Sequence, residues 1–176
     1  MLGDIYAHLG DTAHASEIFR DAIGRNPDDD QNYLALGLLE FRENHVADAK
    51  QTLLKGQSRI PGSGKLLWGL GLASVLEGKT AEAAGQFERA VDLLPEWPGS
   101  YSILGVFYFE TGQIAKAKEV LGRFKNSSAS GSLDVNRIEQ VLAQAPDTTP
   151  SGDEPMPMAD RMQLLQLALS LADRTL

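Results

Sequence analysis

The sequence predicts an all-α protein: an α-solenoid of four helix-turn-helix repeats, a capping helix and a linked C-terminal helix. Three observations carry this. Leu-Gly recurs at Leu2-Gly3, Leu36-Gly37, Leu70-Gly71 and Leu104-Gly105, each step being 34 residues. Two further columns keep that step and phase, Ala15, Ala49, Ala83 and Ala117, and Phe19, Leu53, Phe87 and Leu121. Pro27, Pro61 and Pro95 close three of the units, with Ala129 in the fourth place. Within a unit the apolar residues fall at helical spacing, as in Leu36 and Leu39 and, one unit on, Leu70, Ala73 and Leu76. One helix pair cannot bury such a face, whereas stacked pairs share a continuous core.

Each element has a local reason. The units run over about 1–29, 30–63, 64–97 and 98–131. Met1 enters the first unit late, so the first helix is expected to lack its opening turn, as in a fragment of a longer repeat protein or a shortened cap. Glycine inside a helix costs about 1 kcal/mol against alanine, so the Gly37 column is expected to mark close helix packing, aided by the small Ala49 column. Gly10, Gly78 and Gly112 are expected to end the first helix of their pairs in the left-handed conformation, with Asn44 in the same column. The prolines stop the second helices.

Beyond the fourth unit, "SLDVNRIEQVLAQ" predicts a capping helix over 133–144, in phase with the repeats through Val135, Ile138 and Leu142. The proline-rich stretch "PDTTPSGDEPMP", 146–157, reads as an extended linker. The segment 158–176 predicts an amphipathic C-terminal helix, with Asp160 near its start. Met162, Leu165, Leu169 and Ala172 form one stripe, and Leu164, Leu167, Ala168 and Leu171 another. That much apolar surface needs a partner.

These residues resemble the tetratricopeptide repeat. Repeat 2 supplies Tyr33, Leu36-Gly37, Ala49, Leu53 and Pro61; repeat 3 supplies Leu67, Leu70-Gly71, Ala83, Phe87, Ala90 and Pro95; repeat 4 supplies Tyr101, Leu104-Gly105, Tyr108, Ala117 and Leu121. The resemblance covers residues 1 to about 130. It implies that the first helices line a concave groove that takes a peptide or a helix. The groove positions are then Leu34, Leu38, Phe41 and Arg42 in repeat 2, Trp68, Leu72 and Val75 in repeat 3, and Ser102, Val106, Phe109 and Glu110 in repeat 4. Repeat 1 adds Asp4, Ala7 and His8. One subtype of the family clamps an acidic chaperone tail with Lys, Asn and Arg. The matching positions here are Asp4, Leu38, Leu72 and Trp68, so an apolar helix is the better-suited ligand.

The expected function is therefore a protein–protein interaction module or assembly scaffold, with a regulatory or autoinhibitory segment of a larger enzyme or secretion or transport machine as the alternative. The expected partner is a protein or peptide. The chain itself offers two occupants, its own C-terminal helix and, in a homodimer, that of a second copy. With 176 residues, net charge −8 and a pI near 4.8, the chain has no basic tract for nucleic acid or an anionic membrane. The lack of cysteine excludes disulfides, thiol catalysis and cysteine-bound zinc. No apolar run reaches the roughly 18 residues of a membrane span. "MLGDIYAHLGD" has no secretory pattern, which points to the cytoplasm.

No catalytic, cofactor or metal site is expected. "IPGSGKLLWGLG", 60–71, imitates a phosphate loop, but Arg59 stands where the first glycine belongs and Leu66 follows the lysine. Gly69 and Gly71 lie mid-helix with Ser74 in the third glycine's place, so they form no dinucleotide fingerprint. His8, His14 and His45 have no metal-ligand spacing on one helix face. Asp28-Asp29-Asp30 reads as a charged helix start. Ser127, Ser128, Ser130 and Ser132 lie in a loop with no histidine placed to activate one.

Overall fold

A computed structural model describes residues 2–127 and 157–175. The expected capping helix, 133–144, and the linker up to residue 156 lie outside the described residues. The described elements are all helices: α1 Leu2–His8, α2 Thr12–Arg25, α3 Asp30–Arg42, α4 Val46–Arg59, α5 Gly64–Leu76, α6 Thr80–Leu93, α7 Pro98–Glu110, α8 Ile114–Lys125 and α9 Met158–Thr175. Consecutive helices pair as α1/α2, α3/α4, α5/α6 and α7/α8, and each second helix also packs on the first helix of the next pair. This is a tetratricopeptide-type α-solenoid.

The left-handed turns fall where the sequence places them. Gly10, Gly78 and Gly112 have φ of 79°, 78° and 70°, and Asn44 adopts 61°. Each closes the same pair of backbone bonds. At Gly78, its N–H donates to Val75 O (2.9 Å) and the Lys79 N–H to Ser74 O (2.8 Å). These bonds satisfy carbonyls that the end of α5 would otherwise leave open.

The glycine column works through the column of large apolar residues facing it. A Cβ on Gly71 would stand 2.4 Å from the Phe87 ring, one on Gly3 2.7 Å from Phe19, and one on Gly37 3.0 Å from Leu53. Gly105 is different: the nearest neighbour of its Cβ would be Val120 at 3.8 Å, an ordinary contact. The close packing expected of this column thus holds in three pairs and is relaxed in the fourth.

A polar column crosses the core at the same step. Glu40 stands 3.9 Å from Arg20 of the preceding repeat, Ser74 donates to Gln86 (2.8 Å), and the Tyr108 hydroxyl donates to Glu88 of the preceding repeat. Burial raises the Glu40 carboxyl above the ordinary glutamate range, with Thr52 and Arg20 opposing it. Burial, then the bond to Glu88, pushes the Tyr108 phenol up.

The Gly-Ser-Gly-Lys stretch is a capped helix start. Ser63 Oγ accepts from Leu66 N–H (3.2 Å) and donates to Asp30 (2.7 Å), while Lys65 donates to Gln31 (2.8 Å). Both side chains tie α5 to the preceding repeat. The three aspartates divide their work in the same way. Asp28 pairs with Arg59, Asp29 caps α3 through Gln31 N–H, and Asp30 holds Ser63.

Candidate functional site: the first-helix face of repeats 3 and 4

α5 is almost entirely apolar, and eleven of its thirteen residues are buried. A helix buried all round must be covered on every side. α4 and α6 cover it from the second-helix layer, α3 from the preceding repeat, and α9 from the C-terminus. α9 packs on both α5 and α7. Leu164, Leu165 and Ala168 of α9 are buried in the same core as Trp68, Leu72 and Val75, and Leu167 and Leu169 are half-buried against it.

The start of α9 is fixed by charge. Arg161 reaches the end of α5, where its Nη1 donates to Leu76 O (3.4 Å), and its guanidinium lies over Gly78. A cation at a helix C-terminus meets the negative end of the helix dipole and an open carbonyl. Gly78 is constrained by its positive φ, and a Cβ there would stand 2.9 Å from Arg161 Nη2, so a side chain would displace the guanidinium. At the end of α7, burial raises the Glu110 carboxyl above the ordinary range, and the negative charge of Asp160 on α9 raises it further.

The residues expected to line the groove separate into two sets. Leu34, Leu38, Phe41, Trp68, Leu72 and Val75 are all buried, and Arg42 is exposed. Leu34 faces repeat 3, where a Cβ on Gly69 would stand 3.2 Å from it, so it serves the joint between α3 and α5. Ser102, Val106 and Phe109 on α7 are half-buried, and Ser102 Oγ donates to Pro98 O (3.0 Å). In repeat 1, Asp4 and Ala7 are half-buried and His8 is exposed, with its Nδ1 2.7 Å from Asp4 O.

Sequence reasoning missed Trp97 and Arg161. Trp97 packs edge-on against Trp68 with centroids 5.2 Å apart. It occupies the place before α7 that Asp29 and Ser63 hold before α3 and α5, and it makes no side-chain cap bond. Pro98, the first residue of α7, has no N–H to be capped. Breaking the capping column was a readable signal. Arg161 could be found only once α9 was seated.

Among the described residues, no group of three or more His, Asp or Glu side chains could hold a metal ion. No helix among them is long and apolar enough to cross a membrane. His14 lies on the surface, bonded to Asp11 (2.7 Å) and stacked on Tyr6.

Fold and site define a tetratricopeptide-type helical repeat protein, and the comparisons agree. Two models described as tetratricopeptide repeat match residues 1–29 and 34–101, together more than half of the chain. The chain belongs to the tetratricopeptide repeat family. A search of curated proteins finds no match. Among solved structures, a crystal structure of MamA superposes with a TM-score of 0.64 at 19% identity, covering 99% of this chain and 96% of that one. A MamA structure from Desulfovibrio magneticus RS-1 gives 0.53 at 20% identity, covering 82% and 74%. The Cut9–Hcn1 hetero-tetramer structure gives 0.59 at 22% identity, covering 88% of this chain and 28% of that one. At these identities the likeness is one of fold.

Proposed function

We propose that the chain is a protein–protein interaction module whose first-helix face, along α5 and α7, takes a helix or peptide of a partner protein. The single observation that carries the reading is α9, an amphipathic helix seated on that face through Leu164, Leu165 and Ala168. A face that accepts one such helix has the chemistry to accept another. Burying one leucine contributes roughly 1.5–3 kcal/mol, and tryptophan is the residue most often dominant at such sites. The groove set is Leu38, Phe41, Trp68, Leu72, Val75, Ser102, Val106 and Phe109, with Leu34 behind it and Arg42 at the edge. The MamA and Cut9–Hcn1 structures are of proteins sharing this fold, and the Cut9–Hcn1 name itself describes an assembly of two proteins. On this reading the chain works without a cofactor, in the cytoplasm, as an adaptor or assembly scaffold.

The test is capture from source lysate with the full chain against a Val106→Arg/Phe109→Glu chain, both checked by circular dichroism. A partner captured only by the unaltered chain supports the reading. Capture of the same proteins by both chains rejects it.

A further inference from the structure

We propose that α9 is an exchangeable occupant of the α5/α7 face, and that the partner it excludes is an amphipathic helix with the docking pattern Arg-x-x-Leu-Leu-x-x-Ala. The proposal rests on the groove reading above and names the ligand and its regulation.

The pattern is read from α9 itself. Arg161, Leu164, Leu165 and Ala168 fall at spacings that share one helix face. The three apolar members are the buried residues among the described side chains of the helix, and the arginine reaches the end of α5. The arginine meets the Leu76 carbonyl over the bare backbone of Gly78. The leucines are buried in the shared apolar core, on a helix that packs on α5 and α7. Ala168, the small member of the pattern, is fully buried.

Other features make the seat exchangeable. Only three of α9's described side chains are buried, against eleven residues of α5. Met158 and Met162, next to the arginine, stay 61% and 40% exposed. The Trp68 indole N–H, in the wall of the same face, is buried without a hydrogen-bond partner. The Asp160 carboxylate acts on the half-buried Glu110 as a like charge. A partner helix that keeps the four-residue pattern, brings an acceptor to the indole and has no acid in Asp160's place would fit better than α9 does. The chain between the end of α8 and the start of α9 is over thirty residues long, ample for α9 to leave and return. A tethered occupant competes at a high effective concentration, so it lowers the apparent affinity of a free helix by the factor with which the docked state is favoured.

The experiment titrates a fluorescein-labelled peptide of residues 157–176 with the full chain and with a Leu164→Asp/Leu165→Asp full chain, read by anisotropy. The expected result is binding at least tenfold tighter by the variant than by the unaltered chain. A peptide carrying Arg161→Glu should bind the variant several-fold more weakly. Adding Val106→Arg to the variant should remove the gain. Equal affinity for both chains would overturn the proposal while leaving the groove reading, judged by lysate capture, intact. Binding of the peptide by neither chain, with helical content unchanged, would also overturn it. Light scattering that finds the unaltered chain dimeric and the variant monomeric would assign α9 to a second copy's groove and so reject the in-chain occupant.

Discussion

The joint between repeats 2 and 3 and the joint between repeats 3 and 4 share their signature residues and differ in geometry. At the first, α3 and α5 pack directly on each other. At the second, α5 and α7 do not close in this way, and α9 packs on both. The columns that differ are outside the repeat signature. At the first joint they hold Leu34 and Gly69, where a Cβ on the glycine would stand 2.9 Å from Leu53 and 3.2 Å from Leu34. At the second they hold Trp68 and Ile103, both fully buried. A glycine opposite a leucine lets two helices touch; an isoleucine and a tryptophan in the same columns hold them apart. The separation gives a further apolar helix somewhere to sit. The lesson is that the repeat signature builds the stack, while side-chain size at unmarked columns decides which joint α9 covers.

Replacing the small residue of the closed joint should break the comparison most strongly. Gly69→Ile puts a branched side chain where a bare Cβ is already at 2.9 Å. Overpacking of this kind costs about 1–3 kcal/mol or more, and each kcal/mol lowers Tm by about 2–4 °C in a chain of this size. Calorimetry should show a fall of about 5–10 °C, and an unchanged Tm would remove the size argument for the two joints. Next come the paired substitutions Gly71→Ala and Gly105→Ala. The first drives a methyl into the Phe87 ring and should destabilise by about 1–3 kcal/mol despite alanine's better helix propensity. The second meets only Val120 at contact distance and should be neutral or stabilise by up to about 1 kcal/mol. Urea midpoints of the two variants that move together would show the fourth repeat to be as tightly packed as the third.

A smaller, local effect is expected from Leu164→Asp/Leu165→Asp. Amide exchange should quicken about tenfold or more in α5 and α7 and stay unchanged in α2, because only the second joint loses its cover. Uniform quickening would contradict that division. The smallest effect belongs to Glu40, buried at the joint between repeats 1 and 2. Its pKa is higher in the folded chain than in the unfolded one, chiefly through burial. The folded state therefore holds its proton longer, and the stability this contributes is present at low pH. It fades as pH rises from the ordinary glutamate range through the raised folded value. Glu40→Gln should remove that fading and leave the chain slightly more stable at pH 7, by about 0.5–1 kcal/mol. Denaturant titrations at pH 4 and pH 7 should show the gap between variant and unaltered chain widening with pH.

Most of the stack was legible because its rules are local. A φ of 61° or 78° favours asparagine or glycine for steric reasons that need no tertiary contact. A proline past the first turn stops a helix by its own ring and its missing N–H. The phosphate-loop imitation at residues 62–65 could be dismissed from its spacing, and Ser63 and Lys65 are indeed tied to the preceding repeat. The groove was legible only as a set of positions. Leu34 and Trp68 share a column and read alike, yet one closes a joint with Gly69 and the other packs edge-on against Trp97. Arg161 looked like an ordinary charged residue of an amphipathic helix, since its acceptor, Leu76 O, is 85 residues away in sequence.

The sequence by itself determined the 34-residue step, the ends of the helices, the left-handed turns and the apolar faces that must be covered. These follow from backbone sterics, hydrogen-bond supply at helix ends and the cost of leaving apolar surface in water, all of which act within one unit. Only the tertiary structure decided that the fourth repeat's glycine packs loosely, that Glu40 meets Arg20, and that α9 lies on α5 and α7 with Arg161 at the end of α5. Those outcomes depend on the shapes of surfaces contributed by distant segments. Packing density, being a property of all the neighbours at once, is written in no single column.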